Sequence, residues 1–179
     1  KKQISVIHFG DGAIEEGVFY ESLNFASLKK IPALFFCENN LYSVYSPLTV
    51  RQPKGRSIAN LANQIGAKSF FDNGENPLST YKKVKEAVDF CREQRIAVFL
   101  ELKTYRWLEH CGPNNDDHLK YRDPKEIEFW RQKDPIYLIE KDLSQEEKKR
   151  YEEKVKLIEN EINASFNYAL ASQPPKESE

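Results

Sequence analysis

The sequence contains 179 residues, of which 40% are hydrophobic, and its formal net charge at pH 7 is −1. That length and composition are typical of one globular domain or slightly more. A near-neutral charge gives no electrostatic basis for binding nucleic acid or a membrane surface, and no apolar run is long enough to span a bilayer. The three cysteines, Cys37, Cys91 and Cys111, are widely spaced, which indicates reduced thiols and predicts a cytoplasmic protein.

The N-terminal part of the chain alternates between predicted strands and predicted helices. Apolar runs at 4–9 and 33–37 predict two buried strands, joined by a helix over 14–28 whose broad apolar face packs against a sheet. His8 lies within the first run and is interpreted as a core histidine. The next predicted elements are a helix over 57–65, a strand over 67–71, a helix capped by Ser79 and a strand over 96–102. Strands that alternate with helices in this way predict a doubly wound, mostly parallel α/β sheet.

Beyond residue 103 the predicted structure changes to a long loop followed by helices. Residues 104–122 are polar, and the segment 107–120 has few apolar anchors, so we expect it to be mobile in the absence of a ligand. Asp123 and Ser144 are placed to cap two helices. The second of these carries an apolar stripe, formed by Tyr151, Val155, Ile158, Ile162, Phe166 and Ala169. The sequence therefore predicts a main α/β domain at 1–140 and a C-terminal helix and tail at 141–179.

Two polar motifs follow the first two predicted strands. They are Gly10-Asp11-Gly12 and Asn39-Asn40. The carboxyl ends of parallel strands meet at one edge of a sheet, where ligands bind in open α/β folds. An Asp oxygen, an Asn oxygen and a nearby main-chain carbonyl suit Mg²⁺, which keeps water ligands and takes further oxygens from a phosphate. Either motif alone could be an ordinary turn or helix cap, but the pair indicates a metal site.

The motifs and their order resemble the alpha subunit of the thiamine diphosphate-dependent 2-oxoacid dehydrogenases of the pyruvate, branched-chain or acetoin type. The segments that carry the resemblance are 10–17, 19–26, 37–43, 104–106, His110, 121–122 and 133–136. The similarity extends from Ile4 nearly to Pro175. The family's alpha subunit is considerably longer, so the chain is expected to be a C-terminal portion that lacks the N-terminal half of the thiamine diphosphate-binding fold.

The resemblance implies a role for each matching residue. Thiamine diphosphate and Mg²⁺ would be the cofactors, and the metal would be bound by Asp11, the side-chain oxygen of Asn40 and the main-chain carbonyl of Tyr42. Gly12 and Ala13 would offer main-chain contacts to the diphosphate at the start of the following helix. His110 would be the catalytic residue of the chain, donating a hydrogen bond to the diphosphate or to the reacting intermediate from a mobile loop.

The implied activity is oxidative decarboxylation of a 2-oxo acid with transfer of the acyl group to a lipoyl acceptor. The implied partners are a beta subunit, which supplies the catalytic glutamate, a second alpha subunit in a heterotetramer, and the lipoyl acyltransferase. Two alternatives stay open. One is an acetoin dehydrogenase or another thiamine enzyme, because Trp107, Leu108, Glu109 and Cys111 differ from the residues of common pyruvate enzymes. The other is a non-catalytic interaction domain with the same fold.

Overall fold

The computed structural model describes residues 3–176, which divide into two units between Pro135 and Ile136. The strands of the first unit are β1 (Ser5–Gly10), β2 (Ala33–Asn39), β3 (Tyr42–Ser43), β4 (Ser46–Pro47), β5 (Lys68–Asp72) and β6 (Val98–Lys103). Its helices are α1 (Gly17–Leu28), α2 (Leu48–Arg51), α3 (Ile58–Ile65), α4 (Pro77–Gln94) and α5 (Pro124–Arg131), with 3₁₀ helices at Asp11–Glu15 and Asp117–Leu119. The remaining helices are α6 (Pro135–Glu140), which begins at the division, and α7 (Gln145–Ala171).

Four parallel strands form the central sheet of the first unit in the order β1-β2-β6-β5. Because successive side chains of a strand point to opposite faces, β2 contributes Phe35 to one core and Leu34 to the other. Residues of α1 and α3 complete the first core, and residues of α4 complete the second. The predicted α/β class with a mostly parallel sheet is therefore confirmed, with helices packed on both faces.

The first strand is exposed, contrary to the prediction that it is buried. Within the described residues β1 pairs only with β2, so it lies at the edge of the sheet, and Val6 and Ile7 are exposed. His8 is exposed as well and lies 3.2 Å from the Glu38 carboxylate. The interpretation of His8 as a core histidine is therefore wrong, because an apolar run does not reveal whether its strand has neighbours on both sides.

The helix predicted over 14–28 is interrupted. Residues Asp11–Glu15 form a 3₁₀ helix, Glu16 is extended with φ −83° and ψ 142°, and α1 begins at Gly17. One face of α1 is buried against the sheet, through Phe19, Leu23 and Ala26. The other apolar residues of the predicted broad face, Val18, Phe25 and Leu28, are exposed among the described residues.

Two of the three predicted helix caps are confirmed. Asp123 accepts a hydrogen bond from the Lys125 N–H, and Ser144 forms a reciprocal capping box with Glu147. The prediction that Ser79 caps α4 is wrong. The cap is Asn76, whose side-chain oxygen accepts hydrogen bonds from the Leu78 and Ser79 N–H groups. Pro77 at the first helical position fixes the start of the helix directly after Asn76.

The second unit is dominated by α7, a helix of 27 residues. Most of its predicted apolar stripe is exposed among the described residues, including Tyr151, Ile158, Ile162 and Phe166. None of the helices formed by residues 3–176 combines the length and the apolar character needed to cross a membrane. The part of the predicted tail after residue 176 lies outside the described residues.

Gly74 and Gly55 form a matched pair for testing how closely the sheet packs against its loops. Both have a left-handed backbone, with φ of 68° and 80°, but a Cβ at Gly74 would lie 1.7 Å from the Lys103 carbonyl oxygen whereas a Cβ at Gly55 would meet nothing within 4 Å. Gly55→Ala is expected to lower the free energy of unfolding by about 1–2 kcal/mol, the cost of that conformation for an L-residue. Gly74→Ala is expected to cost about 1–3 kcal/mol more, because the backbone of Lys103 must move to admit the methyl group.

Chemical denaturation of the two variants beside the wild-type protein gives this difference directly. Equal losses of stability at the two positions would contradict the close approach of the Gly74 turn to the end of β6.

Candidate metal and cofactor site

The first two strands end side by side at the carboxyl edge of the sheet. The register of β1 and β2 pairs Gly10 with Glu38, so Asp11 leaves the sheet next to Asn39 and Asn40. These strands are adjacent and parallel, as the sequence predicted from the helix-length segment between them. Asp11 and Asn40, the two side chains predicted to bind metal, are therefore carried by neighbouring strand ends.

A short hairpin, which the sequence did not predict, brings the third predicted ligand into the same region. Strands β3 and β4 pair Tyr42 with Pro47, and the turn from β2 into β3 places Leu41 at φ 70°. Gly12 packs so closely against this hairpin that a Cβ on it would lie 2.8 Å from the Ser43 hydroxyl oxygen. The segment that contains Asp11 and Gly12 therefore contacts the segment that contains Tyr42.

The turn at the end of β2 is held by its two asparagines. The side-chain oxygen of Asn40 accepts the Tyr42 N–H at 3.0 Å, and that of Asn39 accepts the Leu41 N–H at 3.1 Å. Asn40 is half-buried, and its amide oxygen has a second lone pair with which it can bind a cation. Asn39 is buried and acts in the turn itself, so its role is structural.

Glu101 fixes this turn from the neighbouring strand, and the sequence interpretation missed it. One of its carboxylate oxygens accepts the Asn39 side-chain N–H at 2.8 Å, and the other accepts the Ala59 N–H at 3.0 Å. Glu101 is 5% exposed. The signal was present in the sequence, because an acidic residue within the apolar run of a buried strand requires a specific partner.

The carboxylate of Asp11 is buried, with 1% exposure, and forms an ion pair with the Arg51 guanidinium. The same guanidinium lies 2.5 Å from the Glu15 carboxylate and donates through Nε to the Ser46 carbonyl oxygen at 3.0 Å. The Cys37 thiol is buried as well, and its burial, together with the nearby carboxylates, raises its pKa far above the usual value. Cys37 is therefore a neutral core residue, whereas the Asp11 carboxylate is balanced by Arg51.

The hairpin is joined to α5 and to the long loop by polar contacts. The Tyr42 hydroxyl donates to the Glu126 carboxylate at 2.7 Å, and burial together with this hydrogen bond raises the pKa of Tyr42 above its usual value. Arg106 donates to the Val44 carbonyl oxygen at 2.9 Å and to the Tyr121 hydroxyl at 3.1 Å. Arg106 therefore anchors the loop on the hairpin that carries Tyr42.

The loop has an anchor that its composition did not indicate. Asp116 is buried and forms an ion pair with Arg122, which is buried as well and also lies 2.9 Å from Asp117. The expectation of a weakly anchored segment over 107–120 was based on its lack of apolar residues. The second half of the segment nevertheless has an ionic anchor, and the mobility of the loop stays a prediction.

His110 lies in the first half of this loop, in a turn closed by hydrogen bonds between Glu109 and Asn114. Its side chain is exposed and makes no hydrogen bond or ion pair with another described residue. The segments that carry Asp11, Asn40 and Tyr42 are thus brought together by direct contacts, whereas no such contact joins His110 to them. Gly12 is half-buried and Ala13 is exposed, both in the 3₁₀ helix after β1.

The chemistry of these residues fits a hydrated cation. Within residues 3–176 no group of three or more His, Cys, Asp and Glu side chains could hold a metal ion. The predicted ligand set is of another kind, because it combines one carboxylate, one carboxamide and one main-chain carbonyl, which suits a Mg²⁺ ion that keeps waters and phosphate ligands. Gln52 lies beside this set, with its amide nitrogen 3.3 Å from Glu15 and its buried carbonyl oxygen without a hydrogen-bond partner among the described residues. Buried oxygens of this kind are usually satisfied by water or an ion.

Comparison with known proteins identifies the family. A family model described as the dehydrogenase E1 component matches residues 1–178. The chain is 33% identical to the pyruvate dehydrogenase E1 component subunit alpha of Rickettsia bellii over 171 residues, which cover 92% of this chain and 51% of that protein. It is 34% identical to the subunit of the same name from Bacillus subtilis over 180 residues, which cover 98% of this chain and 48% of that protein. It is also 34% identical to the 2-oxoisovalerate dehydrogenase subunit alpha of Bacillus subtilis over 137 residues, which cover 76% of this chain and 41% of that protein.

The chain spans about half the length of the curated relatives it matches. The match nevertheless includes almost every residue of the chain, and it contains both strand ends and the hairpin described above. The chain belongs to the dehydrogenase E1 component family.

Proposed function

We propose that the chain is the metal- and diphosphate-binding part of the alpha subunit of a 2-oxoacid dehydrogenase. The observation that carries this proposal is the meeting of the Asp11, Asn40 and Tyr42 segments at the carboxyl edge of a parallel sheet in a member of this family. Relatives named for pyruvate and for 2-oxoisovalerate match at similar identity. The proposed substrate class is therefore a 2-oxo acid, with no choice made between the two.

In this proposal Mg²⁺ is bound by Asp11, the side-chain oxygen of Asn40 and the main-chain carbonyl of Tyr42. The diphosphate of thiamine diphosphate supplies further oxygens to the metal. Gly12 and Ala13 offer main-chain N–H groups in the first turn of the 3₁₀ helix, which has no side-chain cap. Uncapped N–H groups at the start of a helical turn favour a phosphate group.

When bound, thiamine diphosphate supplies the chemistry of decarboxylation and of acyl transfer to a lipoyl acceptor. The part proposed for His110 is to donate a hydrogen bond at the diphosphate side of the cofactor. Its exposed position, in a turn without contacts to the metal-binding segments, requires the loop to move when cofactor and partner bind. Movement of this kind is common for loops that close over a cofactor.

The proposed partners are a beta subunit that supplies the catalytic glutamate, a second alpha subunit and the lipoyl acyltransferase. Apolar side chains exposed on α1 and β1 support an assembly, because Ile7 and Val18 line one open apolar cleft and exposed apolar patches often mark an interface. They include Val18, Phe25 and Leu28 on the helix and Val6 and Ile7 on the strand. Three free thiols support a cytoplasmic location.

Asp11→Asn tests the proposed metal site, because it keeps the size of the side chain and removes its charge. The variant is expected to lose more than about 100-fold in metal-dependent affinity for thiamine diphosphate, as a lost ligand should cost more than a lost outer-shell partner. Isothermal titration calorimetry with and without Mg²⁺ measures this affinity in the complete protein.

Asp72→Asn is the matched control for Asp11→Asn. Asp72 also ends a strand of the same sheet, but its carboxylate accepts hydrogen bonds from Gly74 in the following turn and from Thr80 in α4. Its substitution should leave the cofactor affinity unchanged. Wild-type affinity in Asp11→Asn, or cofactor binding that does not require a divalent cation, would refute the assignment.

His110→Ala tests the proposed catalytic residue. Loss of a hydrogen bond made chiefly in the transition state is expected to reduce acyl transfer to lipoyl by about 100-fold. The affinity for cofactor should change by less than about threefold, as for an ordinary surface substitution. Single-turnover acylation in the assembled complex measures the first quantity and calorimetry the second.

His118→Ala is the matched control for His110→Ala, since His118 is an exposed histidine of the same loop. It should transfer acyl groups at the wild-type rate. A His110→Ala variant that behaves like His118→Ala would show that His110 is only a loop residue.

A further inference from the structure

Arg51 joins three parts of the chain at the proposed metal site. It is the last residue of α2, and its side chain is 10% exposed. The guanidinium forms an ion pair with Asp11, lies 2.5 Å from the Glu15 carboxylate and donates to the Ser46 carbonyl oxygen at 3.0 Å. One side chain therefore ties α2 to the 3₁₀ helix that carries Asp11.

The buried Asp11 carboxylate depends on this contact. A carboxylate removed from water is unfavourable unless a charge partner and hydrogen bonds compensate it. Arg51 is bound to Oδ2 of Asp11, whereas Oδ1 accepts no hydrogen bond from the described residues. A planar guanidinium fixes two acceptors in a defined orientation, which the flexible ammonium of lysine does not do.

The cluster formed by Asp11, Glu15 and Arg51 can still bind a cation, for two reasons that concern its charge and its contacts. Two carboxylates and one guanidinium give Asp11, Glu15 and Arg51 a formal net charge of −1, so the cluster still attracts a positive ion. The contacts of Arg51 with Glu15 and with the Ser46 carbonyl oxygen do not involve Asp11. They hold the guanidinium in place whether or not an ion binds at Oδ1.

We infer that Arg51 is a positioning residue for the proposed metal site: its guanidinium holds Oδ2 of the Asp11 carboxylate and so orients the group, with Oδ1 left for the cation. The inference rests on the proposed function, and it assigns a role to a residue outside the proposed ligand set. The opposite possibility is that Arg51 competes with the cation for Asp11. The two roles predict opposite changes in metal affinity when Arg51 is replaced. Loss of a positioning residue weakens metal binding, whereas loss of a competitor strengthens it.

The test uses Arg51→Gln and Arg51→Lys in the complete protein, with Mn²⁺ as the probe of the site. Mn²⁺ affinity is measured by electron paramagnetic resonance, in the absence and presence of thiamine diphosphate, and thermal unfolding is followed without metal. Arg51→Gln is expected to weaken Mn²⁺ binding by about 10–100-fold, the usual effect of losing a partner that orients a metal ligand. Arg51→Lys is expected to bind Mn²⁺ more tightly than Arg51→Gln and more weakly than the wild-type protein, because lysine restores the positive charge but not the planar guanidinium.

Arg56→Gln is the matched control, since it removes the same charge from an exposed position nearby. It should bind Mn²⁺ as the wild-type protein does. Unchanged or tighter Mn²⁺ binding by Arg51→Gln would overturn the inference, and the tighter result would identify Arg51 as a competitor. If Arg51→Gln does not fold, Arg51→Lys decides, and wild-type affinity in that variant overturns the inference. Failure of the wild-type protein to bind Mn²⁺ at all would instead refute the proposed function.

Discussion

The arrangement at the carboxyl edge of the sheet depends on the buried carboxylate of Glu101. Both of its oxygens are satisfied, one by the Asn39 side chain and the other by the Ala59 N–H at the start of α3. An unpaired buried carboxylate would be costly, so these two contacts specify one arrangement of β6, β2 and α3. Asn39, once held in this way, accepts the Leu41 N–H and stabilises the left-handed turn that leads to Tyr42.

The same edge explains why the side chains of the site belong to distant parts of the sequence. Parallel strands carry their carboxyl ends to one side, and the hairpin after β2 folds back onto the 3₁₀ helix after β1. Arg51 then reaches Asp11 from the end of α2, and Arg106 reaches the hairpin from the long loop. The polar residues of the site are thus held by contacts between segments as well as by the hydrogen bonds within the turn after β2.

The features that could be predicted from sequence are those with a local or periodic cause. Apolar runs identified the strands, and the parallel connection predicted that Asp11 and Asn40 would leave the sheet side by side. Two of the features that were missed have non-local causes. The exposure of His8 follows from the order of the strands, and the pairing of Arg51 with Asp11 joins residues whose sequence separation carries no pattern.

Three local features were missed for other reasons. The strands β3 and β4 contain two residues each, too few to produce a periodic signal. At the start of α4, the sequence prediction placed the cap at Ser79 and did not weigh Pro77, which sets the start of the helix and makes Asn76 the cap. The ionic anchor formed by Asp116 and Arg122 was hidden because a polar loop was taken to lack burial. Composition alone does not distinguish a solvated charge from a buried and paired one.

The central claim is that Asp11, Asn40 and the Tyr42 carbonyl form one cation site. Anomalous diffraction from crystals of the complete protein grown with Mn²⁺ and thiamine diphosphate tests it most directly. The claim predicts a Mn²⁺ peak within about 2.0–2.3 Å of oxygen atoms from all three residues, in an octahedral arrangement completed by phosphate and water. A peak at the loop carboxylates of Asp116 and Asp117, or at any position that these three residues do not share, would contradict it.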